Sequence, residues 1–298
     1  MKNELIYEEE KKLIIATGDP LVLFEEDPLS MMRAVRLVAE TGFGFHGKIY
    51  KAILEKENLL ATISADDIRE EFERAITAEY AGKGLKMIAG TGLLKYFIGE
   101  HAEKTARWEA DLLDGLGENI DKTKRIRLRR LALFYLCFNK KEALKALSMM
   151  NYDAETEDTI TDALELLDKI NFLATTFEIK QFIARHGFER YEFLHNLSKA
   201  RRIVYDLDDA KIKSRHYLLE YIEGMGEPIL VEDLKIDKND IVMNEITSED
   251  KADELLLMLL DLVHKEPGRN TKKELLAYAE RYSKSPIQAA FRKVRWLR

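Results

Sequence analysis

The chain has 298 residues and a formal net charge of −7, and 46% of its residues are hydrophobic, which is enough for a sizeable core. A single cysteine excludes a disulfide framework. Five prolines and fifteen glycines are few for a protein rich in turns or strands, so we predict an all-α chain. The sequence has no apolar run long enough to cross a bilayer and no signal-peptide core at its start, so we expect a cytoplasmic protein.

The first fifty residues contain two turn signals and one amphipathic helix. Residues 5–17 are predicted to form a short helix or an irregular segment that ends at Gly18-Asp19-Pro20. Asp27-Pro28 has the residue types of an N-cap followed by proline at the first helical position. The predicted helix then ends at Thr41-Gly42-Phe43-Gly44. Its apolar face consists of Leu29, Met32, Val35, Leu37 and Val38.

Helical patterns continue through the rest of the chain. Ser64 precedes two aspartates and is predicted to be an N-cap with acids in the first turn. Gly90-Thr91-Gly92 ends a later helix, and a periodic apolar segment over 125–149 has a break near Asn139. Residues 227–247 are less regular. Further helices are predicted over 155–174, 177–186, 189–205, 211–223, 249–264, 271–282 and 286–297.

Residues 18–37, "GDPLVLFEEDPLSMMRAVRL", resemble a motif of a known family. The motif, close to GDPxxRFxEDPLRMxRAxRF, lies in the neck of the tRNA nucleotidyltransferases and poly(A) polymerases, the CCA-adding enzymes. Later segments are similar to the same family, strongly up to residue 100 and more weakly beyond it. These segments are "ETGFGFHGKIYKAI", "ISADDIREEFERAI", "GLKMIAGTGLLKYFIGE", "GEPILVEDL" and "NTKKELLAYAERY".

The resemblance implies a fold and a division of the chain. We expect an elongated array of helices, with a neck-like domain over 1–120, a body-like domain over 121–225 and a tail-like domain over 226–298. In the family a head domain with paired aspartates and two magnesium ions precedes the neck, and phosphoryl transfer needs those metals. Because seventeen residues cannot encode such a head, we expect no catalytic residue, no metal site and no cofactor. The six histidines also lack metal-ligand spacing.

The departures from the motif fall on arginine positions. In the family the acid and the arginine of EDxxR hydrogen-bond the edge of an incoming C or A, and here Ser30 stands at the arginine position. A serine hydroxyl cannot replace a planar group with five donors. The remnant of the template is predicted to be Glu26, Asp27, Ser30 and Arg33. Three further arginine positions of the family are occupied by Ile15, Leu23 and Asp67.

Two arginines of the motif, Arg33 and Arg36, remain on the predicted helix. Helix-borne arginines commonly pair with acids, and we favour this structural role for them over contact with a nucleotide. The scaffold is therefore expected to be retained while nucleotide recognition is lost.

Basic residues cluster in three places. The last stretch, 265–298, carries ten basic and three acidic residues, a charge pattern found in nucleic-acid-binding proteins. The family implies a track that grips tRNA through backbone phosphates, and solvated helix faces are the alternative. The predicted RNA-binding residues are Lys199, Arg201, Arg202, Arg292, Lys293, Arg295 and Arg298. A third cluster contains Lys122, Lys124, Arg125, Arg127, Arg129 and Arg130.

Three functions remain open at this point. The first is a headless paralogue that binds RNA, with tRNA as the expected partner, and has no nucleotidyl transfer of its own. The second is the RNA-binding subunit of a split enzyme, which needs a separate nucleotidyltransferase head protein. The third is a helical scaffold for protein interactions. No membrane partner is expected.

Overall fold

The computed structural model describes residues 3–283, and in this range the chain is a helical array with one small sheet. The predicted all-α class is confirmed apart from this sheet, whose strands are β1 (Leu5–Glu8), β2 (Leu13–Ala16) and β3 (Gly44–Phe45). β1 and β2 pair antiparallel, and β3 joins β2 in parallel. The prediction of a helix or irregular segment over 5–17 is wrong, because apolar and β-branched side chains form a hairpin around the left-handed Lys12.

Sixteen α-helices, joined by short 3₁₀ segments, make up most of the described chain. They are α1 (Pro20–Glu26), α2 (Ser30–Thr41), α3 (Gly47–Lys56), α4 (Ala65–Thr77), α5 (Ala81–Gly90), α6 (Lys95–Ile98), α7 (Arg107–Asn119), α8 (Arg127–Tyr135), α9 (Lys140–Met149), α10 (Ala154–Phe172), α11 (Thr176–His186), α12 (Phe188–Tyr205), α13 (Ala210–Gly224), α14 (Lys238–Met243), α15 (Glu249–Lys265) and α16 (Lys272–Ser283). No helix in the described range is both long enough and apolar enough to cross a bilayer.

The predicted helix ends at the motif need two corrections, one at Asp19-Pro20 and one at Asp27, which the sequence predicts to be an N-cap. Asp19 accepts a hydrogen bond from the amide of Leu21, and Pro20 occupies the first helical position, so this turn begins α1 instead of ending a helix. Asp27 is the C-cap of α1, and α2 begins at Ser30. The apolar face of α2 is Met31, Met32, Ala34, Val35, Val38 and Ala39.

Two compact units divide the described residues. Unit 1 contains 3–169 and 193–209, and unit 2 contains 170–192 and 210–283. The predicted division into neck-like, body-like and tail-like domains is a separate matter from these two units and stays a prediction. In unit 1, α2 packs on α4 and α5, and the rings of Phe72, Phe97 and Phe134 meet at centroid distances of 4.5–6.3 Å.

The close approach of α5 and α7 in unit 1 depends on glycine. A Cβ atom added at Gly82 would lie 2.2 Å from the carbonyl oxygen of Gly117 in α7. Gly82 must therefore lack a side chain for these helices to pack at this distance, whereas a Cβ at Gly117 would meet the flexible Lys86 side chain at 3.1 Å.

Unit 2 has its own apolar core and a buried polar group within it. Helix α15 supplies much of this core, together with α14, α16 and residues 234–246. The fully buried Lys180 forms an ion pair with Glu227 at 2.6 Å. Gln181 lies 2.8 Å from His264 Nδ1, and His264 Nε2 lies 2.9 Å from the carbonyl oxygen of Ile229. Burial lowers the pKa of His264, so the imidazole is held neutral, with Nε2–H donating to the carbonyl.

Candidate functional site

The carboxylate of Asp27 lies between α1 and α2 and binds two side chains of α2. Ser30 Oγ donates to Asp27 Oδ2 at 2.9 Å, and Arg33 Nη1 donates to the same oxygen at 2.5 Å. The turn brings them together because the Ser30 amide also donates to the Asp27 carbonyl, which places Arg33 one helical turn further on. Ser30, at the motif's arginine position, therefore donates a hydrogen bond to Asp27, an acid of the same motif.

A second carboxylate, Glu71 of α4, lies between the two arginines of α2. Its oxygens are 2.6 Å from Arg36 Nε and 3.7 Å from Arg33 Nε, and the residue is buried. Arg36 Nη1 also donates to Glu40 at 2.8 Å. Burial by itself would lower the pKa of Arg36, but the hydrogen bonds to Glu40 and Glu71 outweigh it, and the pKa is raised. The expected pairing of these arginines with acids is thus present in the structure.

The predicted remnant is only partly brought together. Asp27, Ser30 and Arg33 form one hydrogen-bonded group, whereas Glu26 is exposed at the end of α1. Ser30 is nearly fully buried, so its hydroxyl faces the acid and not the solvent. The expected loss of nucleotide recognition at this group stays a prediction.

The three other positions where the family has arginine now serve the local fold. Ile15 lies in β2, and Leu23 is a buried residue of α1. Asp67 is in the first turn of α4, where its amide binds Ser64 Oγ and its carboxylate accepts from the same hydroxyl at 2.6 Å. These side chains pack or cap helix ends, as hydrophobic and short acidic residues do.

Two of the predicted RNA-binding arginines lie on α12, each with an acid nearby. Arg201 is 3.8 Å from Asp168, and Arg202 is 3.8 Å from Asp209. Lys199 is exposed on the same helix. Ion pairs of this length in contact with solvent contribute little and are screened by salt, so a phosphate can replace the acid. The basic residues predicted for the end of the chain, from 292 to 298, lie outside the described residues.

The basic cluster over 122–130 is largely structural. Arg127 binds Glu73 through two nitrogens, at 2.6 and 2.7 Å, and Arg125 lies 3.3 Å from Glu79. Arg130 is fully buried, and its guanidinium donates to four backbone carbonyls of unit 1. Desolvation lowers the pKa of Arg130 accordingly.

Sequence reasoning missed the role of Arg130, although a signal was present. Arg130 is three residues before Leu133 and four before Phe134, so it shares a helical face with apolar residues. Charge counting along the sequence groups Arg130 with its exposed neighbours, while helical periodicity separates it from them. Among residues 3–283, no three His, Cys, Asp or Glu side chains are arranged to hold a metal ion.

Comparison with known proteins agrees with the motif. A family model described as "Probable RNA and SrmB- binding site of polymerase A" matches residues 42–105, which run from the end of α2 to the segment after α6. The CCA-adding enzyme of Geobacillus sp. (strain WCH70) is 35% identical to this chain over 112 residues, which are 36% of this chain and 28% of that enzyme. The CCA-adding enzyme of Pediococcus pentosaceus is 41% identical over 90 residues, which are 30% of this chain and 23% of that enzyme.

The chain is similar to the C-terminal region of tRNA nucleotidyltransferases and poly(A) polymerases. The structure of the Bacillus stearothermophilus CCA-adding enzyme in complex with CTP aligns with a TM-score of 0.71 and 21% identity, over 91% of this chain and 66% of that chain. The Thermotoga maritima CCA-adding enzyme complexed with tRNA aligns with a TM-score of 0.50 and 14% identity, over 91% of this chain and 64% of that chain.

The sequence matches and the structural alignments carry different information. At 14–21% identity the structural likeness shows a shared fold alone. The chain spans less than a third of the length of the curated relatives it matches. The part shared with the family is therefore the helical region that includes its RNA-binding module, while the activity of the complete enzymes belongs to those enzymes.

Proposed function

We propose that this polypeptide binds RNA, with tRNA as the partner, and transfers no nucleotide by itself. The match of residues 42–105 to the RNA-binding module of the family carries the proposal. A solved relative of the same fold is a complex with tRNA, which names the class of RNA to test first. Recognition of a folded RNA through its shape and phosphates requires cations on a rigid surface and no reading of base edges.

The geometry at the start of α2 supports the absence of nucleotide selection. A base edge needs two or more donors and acceptors held at fixed positions. Here Ser30 stands where the motif has a guanidinium, and Asp27 Oδ2 already accepts from Ser30 and Arg33. Arg33 is further held within 3.7 Å of Glu71. The side chains of this corner satisfy one another, so an incoming nucleotide would have to break these contacts.

The cations of α12 provide a surface for phosphates. Lys199, Arg201 and Arg202 belong to unit 1, the unit that also contains the matched module. An RNA phosphate that displaces the acids at 3.8 Å would gain a charge-assisted hydrogen bond and release counterions. This exchange predicts binding that weakens steeply as salt rises.

Titration of tRNA binding at 50 and 200 mM salt tests the proposal. The doubly substituted variant Lys199→Glu with Arg201→Glu should bind at least tenfold more weakly, and its salt slope should fall by roughly one to two. Lys141→Glu with Lys145→Glu changes the net charge equally on the exposed face of α9 and should bind like the wild type. Equal loss in both variants, or in neither, would contradict a phosphate surface on α12.

The residues predicted at the end of the chain are tested in the same assay. Charge reversal at Arg292, Lys293, Arg295 and Arg298 should also weaken tRNA binding if they belong to the phosphate track. An unchanged affinity would remove them from the proposal. Absence of salt-dependent tRNA retention by the wild type would instead favour a scaffold for protein interactions.

A second candidate function is that of an RNA-binding subunit in a split enzyme. It is supported by the alignment, which leaves about a third of the Bacillus stearothermophilus enzyme unmatched. Incubation with tRNA, CTP, ATP and magnesium should give no incorporation of labelled nucleotide. If addition of an isolated nucleotidyltransferase head protein restores incorporation, the split enzyme is correct. Incorporation by this polypeptide alone would refute both candidates.

A further inference from the structure

Helix α13 has apolar residues on two opposite faces. Ile212 and Ile222 are buried on the face that packs within unit 2. On the other side Tyr217 is 69% exposed and Tyr221 is 46% exposed. Exposed aromatic side chains on the face opposite the buried one are more apolar than a helix face in contact only with solvent usually is. Tyrosine is also among the residues most enriched in protein interfaces.

The charges on the exposed face are arranged with opposite signs at its two ends. Lys213, Tyr217, Glu220 and Tyr221 follow one another at i, i+4, i+7 and i+8 and therefore share a face. Lys213 precedes both tyrosines, and Glu220 lies between Tyr217 and Tyr221. Glu220 is 3.5 Å from His216, and both side chains are more than half exposed. The surface therefore carries both signs of charge.

We propose that this face binds the same face of a second copy of the chain, in an antiparallel helix pair. A two-fold axis beside Tyr217 brings Lys213 of each copy opposite Glu220 of the other, because these positions are equidistant from the axis. Tyr217 of each copy then lies between the two ion pairs, and Tyr221 of each copy lies just beyond one of them. Self-complementarity of this kind is what a two-fold interface requires. An RNA backbone would meet Glu220 as a repulsive charge, so the mixed signs favour a protein partner over RNA.

The size of the surface sets the strength of the pair. The fifteen residues of α13 are about 22 Å long, which is less than the extent of a stable dimer interface. The dimer is therefore weak, with a dissociation constant on the order of 10 µM. This inference is independent of the proposed RNA binding, because it concerns different residues, those of α13, and has its own readout.

Analytical ultracentrifugation of the full chain tests the proposal. The wild type should sediment as a monomer at about 1 µM and mainly as a dimer at about 100 µM. Tyr217→Ser should raise the dissociation constant at least tenfold. Met243→Ser, which removes another highly exposed apolar side chain of unit 2, should leave it unchanged. A wild type that stays monomeric at 100 µM overturns the proposal.

Charge reversal gives a test that does not depend on removing apolar area. Lys213→Glu alone and Glu220→Lys alone each place like charges opposite one another, so each variant should be monomeric at 100 µM. An equimolar mixture of the two variants restores opposite charges at both contacts and should recover the dimer. Failure of the mixture to recover it overturns the antiparallel arrangement. A Tyr217→Ser variant that retains the dimer but loses tRNA affinity would assign the face to RNA and also overturn the proposal.

Discussion

Replacement of Arg130 by methionine should strongly destabilise unit 1. The guanidinium donates to the carbonyl oxygens of Ile76, Ala78 and Thr123 at 2.9 Å and to that of Ile120 at 3.2 Å. The Ile120 carbonyl keeps two other donors, the amide and the hydroxyl of Thr123, so three carbonyls lose a partner. A buried polar group left without a hydrogen bond costs about 1–3 kcal/mol.

The net loss of unfolding free energy is smaller than the sum of the costs of three unsatisfied carbonyls. Methionine fills most of the volume, and removal of a buried charge recovers its desolvation cost. We therefore expect the free energy of unfolding of unit 1 to fall by about 3–5 kcal/mol, which is a large share of the stability of a typical domain. Lysine at this position should recover only part of the loss, because an ammonium has three donors and no planar fork.

Urea unfolding followed by the fluorescence of Trp108, which lies in unit 1, measures this loss. A Trp296→Phe background leaves Trp108 as the only indole. Arg125→Met is the matched control: this side chain is about half exposed and pairs with Glu79 at 3.3 Å, so the change should cost less than about 0.5 kcal/mol. Equal midpoints for Arg130→Met and the control would refute the structural role of the buried guanidinium.

Three further predictions concern other parts of the fold. Gly82→Ala should destabilise unit 1 by at least about 2 kcal/mol, since the added Cβ would lie 2.2 Å from a backbone oxygen of α7, whereas Gly47→Ala, with open space around it, should be neutral or slightly stabilising in the same urea assay. Glu71→Gln removes ion pairs with both arginines of α2 and should lower the unfolding free energy by about 1–2 kcal/mol; an unchanged midpoint would show that these pairs contribute nothing. The pKa of His264 is lower in the folded chain than in the unfolded chain, so the unfolded chain binds a proton at a higher pH. The contribution of His264 to the stability of unit 2 should therefore be complete above about pH 6.5. Below about pH 6.5 the unfolding free energy should fall by up to about 1.4 kcal/mol per pH unit. His264→Gln should lose this component of the pH dependence and His216→Gln, at an exposed site, should keep it; an identical pH profile for wild type and His264→Gln would contradict the assignment.

Local sequence signals specified many of the helix ends. Gly42 ends α2 with a φ of 72°, Ser64 caps α4 and Asn139 caps α9, and all three positions carry the residue types that such ends require. These signals are legible in one sequence because a cap binds backbone groups within a few residues. The motif at 18–37 likewise indicated the family and the helical class.

The hairpin at 5–17 shows where local signals fail. Its strands are four residues long, and a run of glutamates and lysines between them hid the strand pattern in a helix-favouring composition. β3, which pairs with β2, lies more than 25 residues further along the chain. A strand that short is stable only when its neighbours are in place, and the sequence alone gives no view of them.

The sequence by itself determined the helical class, many of the helix ends and the presence of Ser30 at a position where the resembled motif has arginine. The sequence also predicted that Arg33 pairs with acids, but only the tertiary structure decided that Asp27 is one of them and that Arg130 is held in the core by carbonyls as many as 54 residues away. The reason is physical. A helix cap is satisfied by adjacent backbone, whereas the burial of a charge depends on acceptors that folding gathers from distant parts of the chain.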